Sequence, residues 1–148
     1  MKQIPLNIIS VLGYLLMVAG ILLLAANNGL FSSHAVVILS QIAAGVLMFW
    51  ARRTFGRRSF HLTADPTEGG LVTSGPYRYI RHPIYASIIL FAWAGVVAHW
   101  SILNALCGIA VIAGALLRIM SEEHLVRIRY PDYNHYASTT KRLIPFLF

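Results

Sequence analysis

Charge is what this sequence has least of. Only 11% of its 148 residues are Asp, Glu, Lys or Arg, and only five are acidic. A soluble domain carries roughly a quarter charged residues, so an ordinary water-soluble fold lacks the polar surface it needs. A single cysteine, Cys107, excludes an intrachain disulfide framework. The six histidines show no spacing that reads as a zinc site, and no metal is expected. No strand–GxGxxG–helix unit occurs, which excludes a soluble Rossmann-type domain. What the chain does have is apolar residues, 57% of the total with a mean hydropathy of +0.66, and a basic excess of +7. Such an excess suggests a nucleic-acid partner or, in an apolar chain, Lys and Arg gathered in cytoplasmic loops.

The distribution of charge decides between them. Ile4 to Ala26 runs for 23 positions without a charge, with only Asn7 and Ser10 polar. At 1.5 Å per residue this helix is roughly 35 Å long, enough to cross a hydrocarbon core. A signal peptide would show a shorter apolar region behind a more basic start than Lys2, so the segment is expected to be an uncleaved span. Asn27-Asn28-Gly29 is turn chemistry, and His34 to Ala51 is a second apolar stretch. Arg52, Arg53, Arg57 and Arg58 then open a polar loop punctuated by Pro66, Gly69-Gly70 and Gly75-Pro76. Ile84 to Leu117 is uncharged over 34 residues. One helix of that length would be roughly 51 Å, too long for a single span, so two short spans joined near His99-Trp100-Ser101 are predicted.

The expected architecture is therefore an all-α integral membrane protein, one domain over residues 1–148, with four transmembrane helices and a cytoplasmic pocket. The spans are placed at about 4–26, 34–51, 84–99 and 101–118, with a cytoplasmic loop at 52–83 and a cytoplasmic tail at 119–148. The loop carries a net +4, the segment from Arg118 onward a net +2 and Lys2 the remainder, while the turns near Asn27 and His99 carry none. Both termini are then cytoplasmic by the positive-inside rule, and nucleic acid drops out as a partner. Small residues mark helix contacts: Gly13 with Gly20 on the first span, Ala110 with Gly114 on the last. Cys107 reads as a small buried residue.

Polar residues gather in three groups. In Leu71 to Tyr85, Pro83 suits the first turn of the third span, so His82 and Arg81 sit at a helix start that favours a carboxylate or phosphate. Tyr77, Tyr79 and Tyr85 add aromatic faces for a cation or planar ring; an interfacial belt with topology-fixing arginines is the plainer alternative. In Arg118 to Glu123, Arg118 and Glu122 are four apart and share a helix face. Glu122 and Glu123 together raise local affinity for a cation. In Tyr130 to Pro145, Pro131 ends any helix, and Phe146-Leu147-Phe148 is either a lid or an interfacial anchor. An anion site, aromatic faces and a carboxylate pair beside lipid suit S-adenosylmethionine, although a phospholipid headgroup carries similar charges.

Leu71-Val72-Thr73-Ser74-Gly75-Pro76-Tyr77, Arg81-His82-Pro83-Ile84-Tyr85, Arg118 with Glu122-Glu123, Tyr133-x-x-Tyr136 and Arg142-Leu143-Ile144-Pro145 together resemble the isoprenylcysteine carboxyl methyltransferase family. Its wider group includes the phospholipid N-methyltransferases and, more remotely, the C-terminal part of sterol reductases. The resemblance covers about residues 40 to 145 and leaves the first span outside. It implies a membrane methyltransferase that uses S-adenosylmethionine in a cytosol-facing pocket, on a lipophilic acceptor entering from the bilayer. By resemblance, the stretch from Gly69 through Gly70, Leu71 and Val72, then Tyr77, then His82, Pro83, Ile84 and Tyr85 hold the cofactor. Glu122 contacts it and Arg118 faces the acceptor. Arg81 and Glu123, from the local chemistry above, join the cofactor set. Two departures stand out: the family often has His in place of Gly69 and Gly in place of Ser87, which bear on the cofactor's tail and on the acceptor channel.

The expected reaction is in-line methyl transfer, catalysed by positioning and electrostatics. A prenylcysteine-like carboxylate needs no general base. A phospholipid amine must lose a proton, and Glu122 or Glu123 could assist. A non-catalytic membrane protein that keeps the fold is the other alternative; its signature would be loss of Arg118 or Glu122, and both are present. No mid-span ionisable residue or repeat suggests a transporter. A bacterial cytoplasmic membrane is the expected location.

Overall fold

The computed structural model describes residues 3–56 and 70–145. Lys2, the Arg57-Arg58 pair, Pro66, Gly69 and Phe146-Leu147-Phe148 lie outside the described residues. Apolar, uncharged sequence folds as helix wherever turn chemistry does not interrupt it. The elements are α1 (Gln3–Ala26), α2 (Ala35–Phe55), a 3-10 turn (Gly75–Arg78), α3 (Pro83–Ala98), α4 (Ile102–Arg129) and α5 (Tyr133–Thr139). No strand occurs among the described residues, only a single parallel bridge between Ile80 and Lys141.

Residue chemistry sets each boundary. α1 ends at the expected turn, where Asn28 adopts a left-handed φ of 53° and Gly29 N–H bonds back to the Leu24 carbonyl at 2.8 Å. α3 begins on Pro83, whose missing N–H costs nothing there. Ser101 caps α4 by accepting from Asn104 N–H at 3.1 Å. α4 stops at Arg129, just before Pro131.

Three helices, α1 from Leu6, α2 and α4, are long and apolar enough to cross a membrane. The third expected span, 84–99, forms at its expected place and length but falls short of a membrane's thickness. α3 is apolar but only 16 residues long, about 24 Å against a hydrocarbon core of about 30 Å. Pro83 and the His99-Trp100-Ser101 turn leave it no room to extend. α4 departs from the expected bounds: it runs past the boundary placed at Arg118 for another three turns. That extension carries Glu122 and Glu123 on rigid helix, where a tail was expected.

Helices α1 and α4 are antiparallel and touch backbone to backbone. A Cβ on Gly13 would stand 2.7 Å from the Gly114 carbonyl, and one on Gly20 would stand 2.8 Å from that of Cys107. Small residues permit this approach, and the gain is van der Waals packing over the whole seam. Cys107 is buried in this core with Met17, Leu24, Val111, Ala115 and Ile119. On α3, Ala92 and Val96 complete the core. The tight seam fixes where Arg118, one turn below Gly114, must lie.

Candidate active site

Arg118 is the buried centre of the polar end of the bundle, 4% exposed. Its Nε donates to the Tyr85 hydroxyl at 2.7 Å, and its Nη2 lies 3.3 Å from Glu122 Oε1. The Tyr85 hydroxyl in turn donates to Glu122 Oε1. The guanidinium carbon sits 5.4 Å from the centroid of the Tyr14 ring and 6.0 Å from that of Tyr85. Three helices therefore converge on one cation. The i,i+4 pair expected from sequence is formed, but a tyrosine from α3 ties it into a triad. A charge-assisted triad of this kind is stiffer and better satisfied than a surface salt bridge.

A second knot lies one residue on. Glu123, 4% exposed, accepts from Arg81 Nε at 2.9 Å and from Arg142 Nη2 at 3.1 Å. His82 Nε2 is 3.2 Å from the same carboxylate, and Arg127 Nη2 is 3.7 Å away. Arg81 also donates to the carbonyls of Ala137, at 3.0 Å, and Thr140. The chain returns here: Arg81 N–H bonds to the Lys141 carbonyl at 2.7 Å and His82 N–H to the Arg142 carbonyl at 3.0 Å. The carboxylate that Arg81 grips is thus Glu123 itself. Glu123 clasps the start of α3, the end of α4 and the tail into one unit.

His82 stands between the two knots. Its Nδ1 is 3.9 Å from Glu122 Oε2 while its Nε2 faces Glu123, and its ring lies 5.9 Å from Tyr85. Glu122 keeps 24% of its side chain exposed. The His82 side chain does not cap α3, and the first N–H groups after Pro83, those of Ile84 and Tyr85, have no intrahelical acceptor. The geometry thus offers an uncapped helix start, a half-open carboxylate and two ring faces.

Tyr77 is held separately. Its ring packs 5.5 Å from Phe55, and its carbonyl accepts the Tyr136 hydroxyl at 2.7 Å. Burial, helped by the Tyr136 and Glu122 charges and opposed by Arg52, pushes the Tyr77 hydroxyl well above its ordinary range. Burial also raises Tyr133 and pushes Tyr136 up to about 12, with Arg81 pulling the other way. These hydroxyls therefore stay protonated donors. Gly70 has a left-handed φ of 83°, a conformation suited to glycine, and Leu71 and Val72 are half-buried. The structure brings Arg118, Glu122, Tyr85 and His82 together, and Arg81 with Glu123 beside them. Gly70, Leu71 and Val72 make no described contact with that cluster. Ser87 is fully buried, its hydroxyl donating to the Ile84 carbonyl at 2.7 Å, so the side chain is absorbed within its own helix.

An apolar groove of about 680 Å³ runs alongside, between α2, α3, α4 and the tail. Trp50, Ile80, Ile89, Trp93, Leu116 and Leu143 are among its walls. Ile80 and Leu143 adjoin the clasp residues Arg81 and Arg142, and Leu143 also packs on the core that contains Tyr85. Two contributors carried no sequence signal of function. Tyr14 lies on an otherwise uniform apolar span, and Arg127 looks like one more tail cation.

Comparison with known proteins agrees with this end of the molecule. The family model described as phospholipid methyltransferase matches residues 32–132. The nickel-cobalt-cadmium resistance protein NccN of Alcaligenes xylosoxydans xylosoxydans is 34% identical over 82 residues, which is 52% of this chain and 37% of that protein. The chain thus spans little more than a third of that relative's length. Among the described residues no group of three His, Cys, Asp or Glu side chains is placed to hold a metal ion. No solved structure matches. With the matched span containing α2, α3, the triad and the clasp carboxylate, the chain belongs to the phospholipid methyltransferase family.

Proposed function

We propose that the protein is an S-adenosylmethionine-dependent methyltransferase of the membrane that methylates a lipophilic acceptor. The observation that carries this reading is the Arg118–Tyr85–Glu122 triad beside the uncapped start of α3. The residues fit the cofactor's chemistry. The free N–H groups at the start of α3 suit its carboxylate, Glu122 and His82 suit its amine and hydroxyl groups, and Tyr85 and Tyr77 offer ring faces. Bound there, the cofactor would supply an electrophilic methyl group for in-line transfer to the acceptor.

The chain's own residues do the rest. Arg118 orients an anionic acceptor group, with Tyr85 and Glu122 fixing its guanidinium. Glu122 balances the Arg118 charge, so the buried pair is close to neutral before ligands arrive. Arg81 and Glu123 keep His82 and Arg142 in place. The groove takes the acceptor's hydrocarbon tail and keeps water from the site. Both termini and the site face the cytoplasm, by the charge distribution along the chain.

A carboxylate acceptor, such as a prenylcysteine-like thioether acid, is the first choice. A carboxylate meeting a sulfonium yields two neutral products, and loss of opposite charges is favoured where the dielectric is low. A phospholipid amine is the second reading, favoured by the family match and by Glu122, which could take the amine proton. Purified protein incubated with labelled S-adenosylmethionine and either prenylcysteine analogues or membrane phospholipids separates them. Label in a base-labile ester supports the first, and label in a stable amine supports the second. No label in any lipid, with wild-type protein that binds S-adenosylhomocysteine, contradicts both.

A further inference from the structure

The triad described above has a wall that belongs to no part of the family match. α1 ends at Ala26, before residue 32, where that match begins. Yet the α1–α4 seam places it directly on the site. Gly13 would meet Arg118 Cγ at 3.3 Å if it carried a Cβ, and the next residue, Tyr14, lays its ring against the guanidinium. Gly20 faces Cys107 and Val111, and Gly13 faces Gly114 and Leu117. Continued by one turn, this antiparallel register sets Ser10 opposite the turn from Leu117 to Ser121. Ser10 is completely buried, and its Oγ has no hydrogen-bond partner among the described residues. A buried hydroxyl left unsatisfied is costly, so its presence at the level of Arg118 needs a reason.

We propose that α1 forms the acceptor side of the site, with the Tyr14 ring positioning the Arg118 guanidinium and the Ser10 hydroxyl donating to an anionic oxygen, carboxylate or phosphate, of the lipid acceptor. This rests on the methyltransferase reading for the identity of the ligand but not for the contacts. A guanidinium is attracted to an aromatic face, and Tyr14 and Tyr85 approach it from two different helices. Arg118 is thereby held in one orientation. No described contact joins either residue to the clasp at Glu123, so α1 governs the acceptor while the α3 start governs the cofactor.

The test uses full-length protein in nanodiscs. Tyr14→Leu and Ser10→Ala should each raise the acceptor KM at least fivefold while leaving the affinity for S-adenosylhomocysteine unchanged. Tyr14→Phe, which keeps the ring, should recover most of what Tyr14→Leu loses. Ser10→Ala should melt no lower than wild type, because it removes an unsatisfied hydroxyl. Prenylcysteine analogues and phospholipids run in parallel distinguish a carboxylate from a phosphate. A readout independent of turnover is phenylglyoxal labelling mapped to Arg118. It should be slow in wild type and Tyr14→Phe and at least fivefold faster in Tyr14→Leu. Equal labelling in all three overturns the positioning role, even if no acceptor is ever methylated. An unchanged acceptor KM in Ser10→Ala, or loss of S-adenosylhomocysteine binding in step with it, overturns the acceptor-side assignment.

Discussion

Glu123→Gln tests the clasp and can be followed quantitatively. The substitution keeps shape and one acceptor oxygen but removes the charge that balances Arg81, Arg142 and Arg127. Removing one partner from a buried ion pair costs about 3–5 kcal/mol. Arg81 keeps its bonds to the Ala137 and Thr140 carbonyls, so the lower end, about 3 kcal/mol, applies here. The least costly relief is local. If the segment from Lys141 to Pro145 lifts off, Arg81 and Arg142 reach water while the α1–α4 seam stays closed. The amides of Arg81 and His82, bonded to Lys141 and Arg142 carbonyls at 2.7 and 3.0 Å, report that lifting directly. Since about 1.4 kcal/mol is tenfold in an equilibrium constant, their hydrogen exchange should accelerate roughly a hundredfold. Mass-spectrometric exchange in nanodiscs should show this at Arg81 and His82, with Met17–Leu24 and Val111–Ile119 unchanged. Unchanged exchange at Arg81 and His82 would refute the clasp, as would equal acceleration along α1 and α4.

Other consequences are as direct. Gly114→Ala forces a methyl group into the backbone of α1 and should cost about 1–3 kcal/mol by overpacking, read as a lower denaturation midpoint in detergent. Tyr85→Phe removes the hydroxyl shared by Arg118 and Glu122; methyl transfer should fall at least tenfold with the thermal midpoint changed by only a few degrees. Burial raises Tyr136 from its ordinary value to about 12, so the folded state favours the neutral hydroxyl. Its bond to Tyr77 should persist at neutral pH and be lost as pH rises from about 10 towards 12. Tyrosinate absorbance should show that late step, and Tyr136→Phe should lack it.

Much of the scaffold was legible because it rests on local or periodic signals. The uncharged length of α1, the Asn27-Asn28-Gly29 turn and the spacing of Gly13 and Gly20 each translate directly into the structure. So does the pair of Arg118 and Glu122, since a helix fixes the distance between positions four apart. What was not legible depends on residues far apart in sequence. Arg81 and Glu123 are separated by 42 positions, and nothing local says that each satisfies the other. Helix packing and the return of the tail, through the Ile80–Lys141 bridge and the bond from His82 N–H to the Arg142 carbonyl, bring them and Arg142 together. The bounds of α3 were legible to within a residue, 84–99 against Pro83–Ala98, because Pro83 and the His99-Trp100-Ser101 turn are local signals; the end of α4 was placed too early because a charged residue such as Arg118 does not stop a helix. Tyr14 was hidden for a simpler reason: a tyrosine among leucines carries no sign of the cation it will face.

The cofactor reading stands or falls on whether the end of the bundle built by His82, Tyr85 and Glu122 binds S-adenosylmethionine. Calorimetric titration of the purified protein with S-adenosylhomocysteine tests it most directly. Saturable binding with one ligand per chain is expected, weakened at least tenfold in His82→Ala and in Glu122→Gln. Absence of binding to folded wild-type protein, or binding unaltered in both variants, would contradict it.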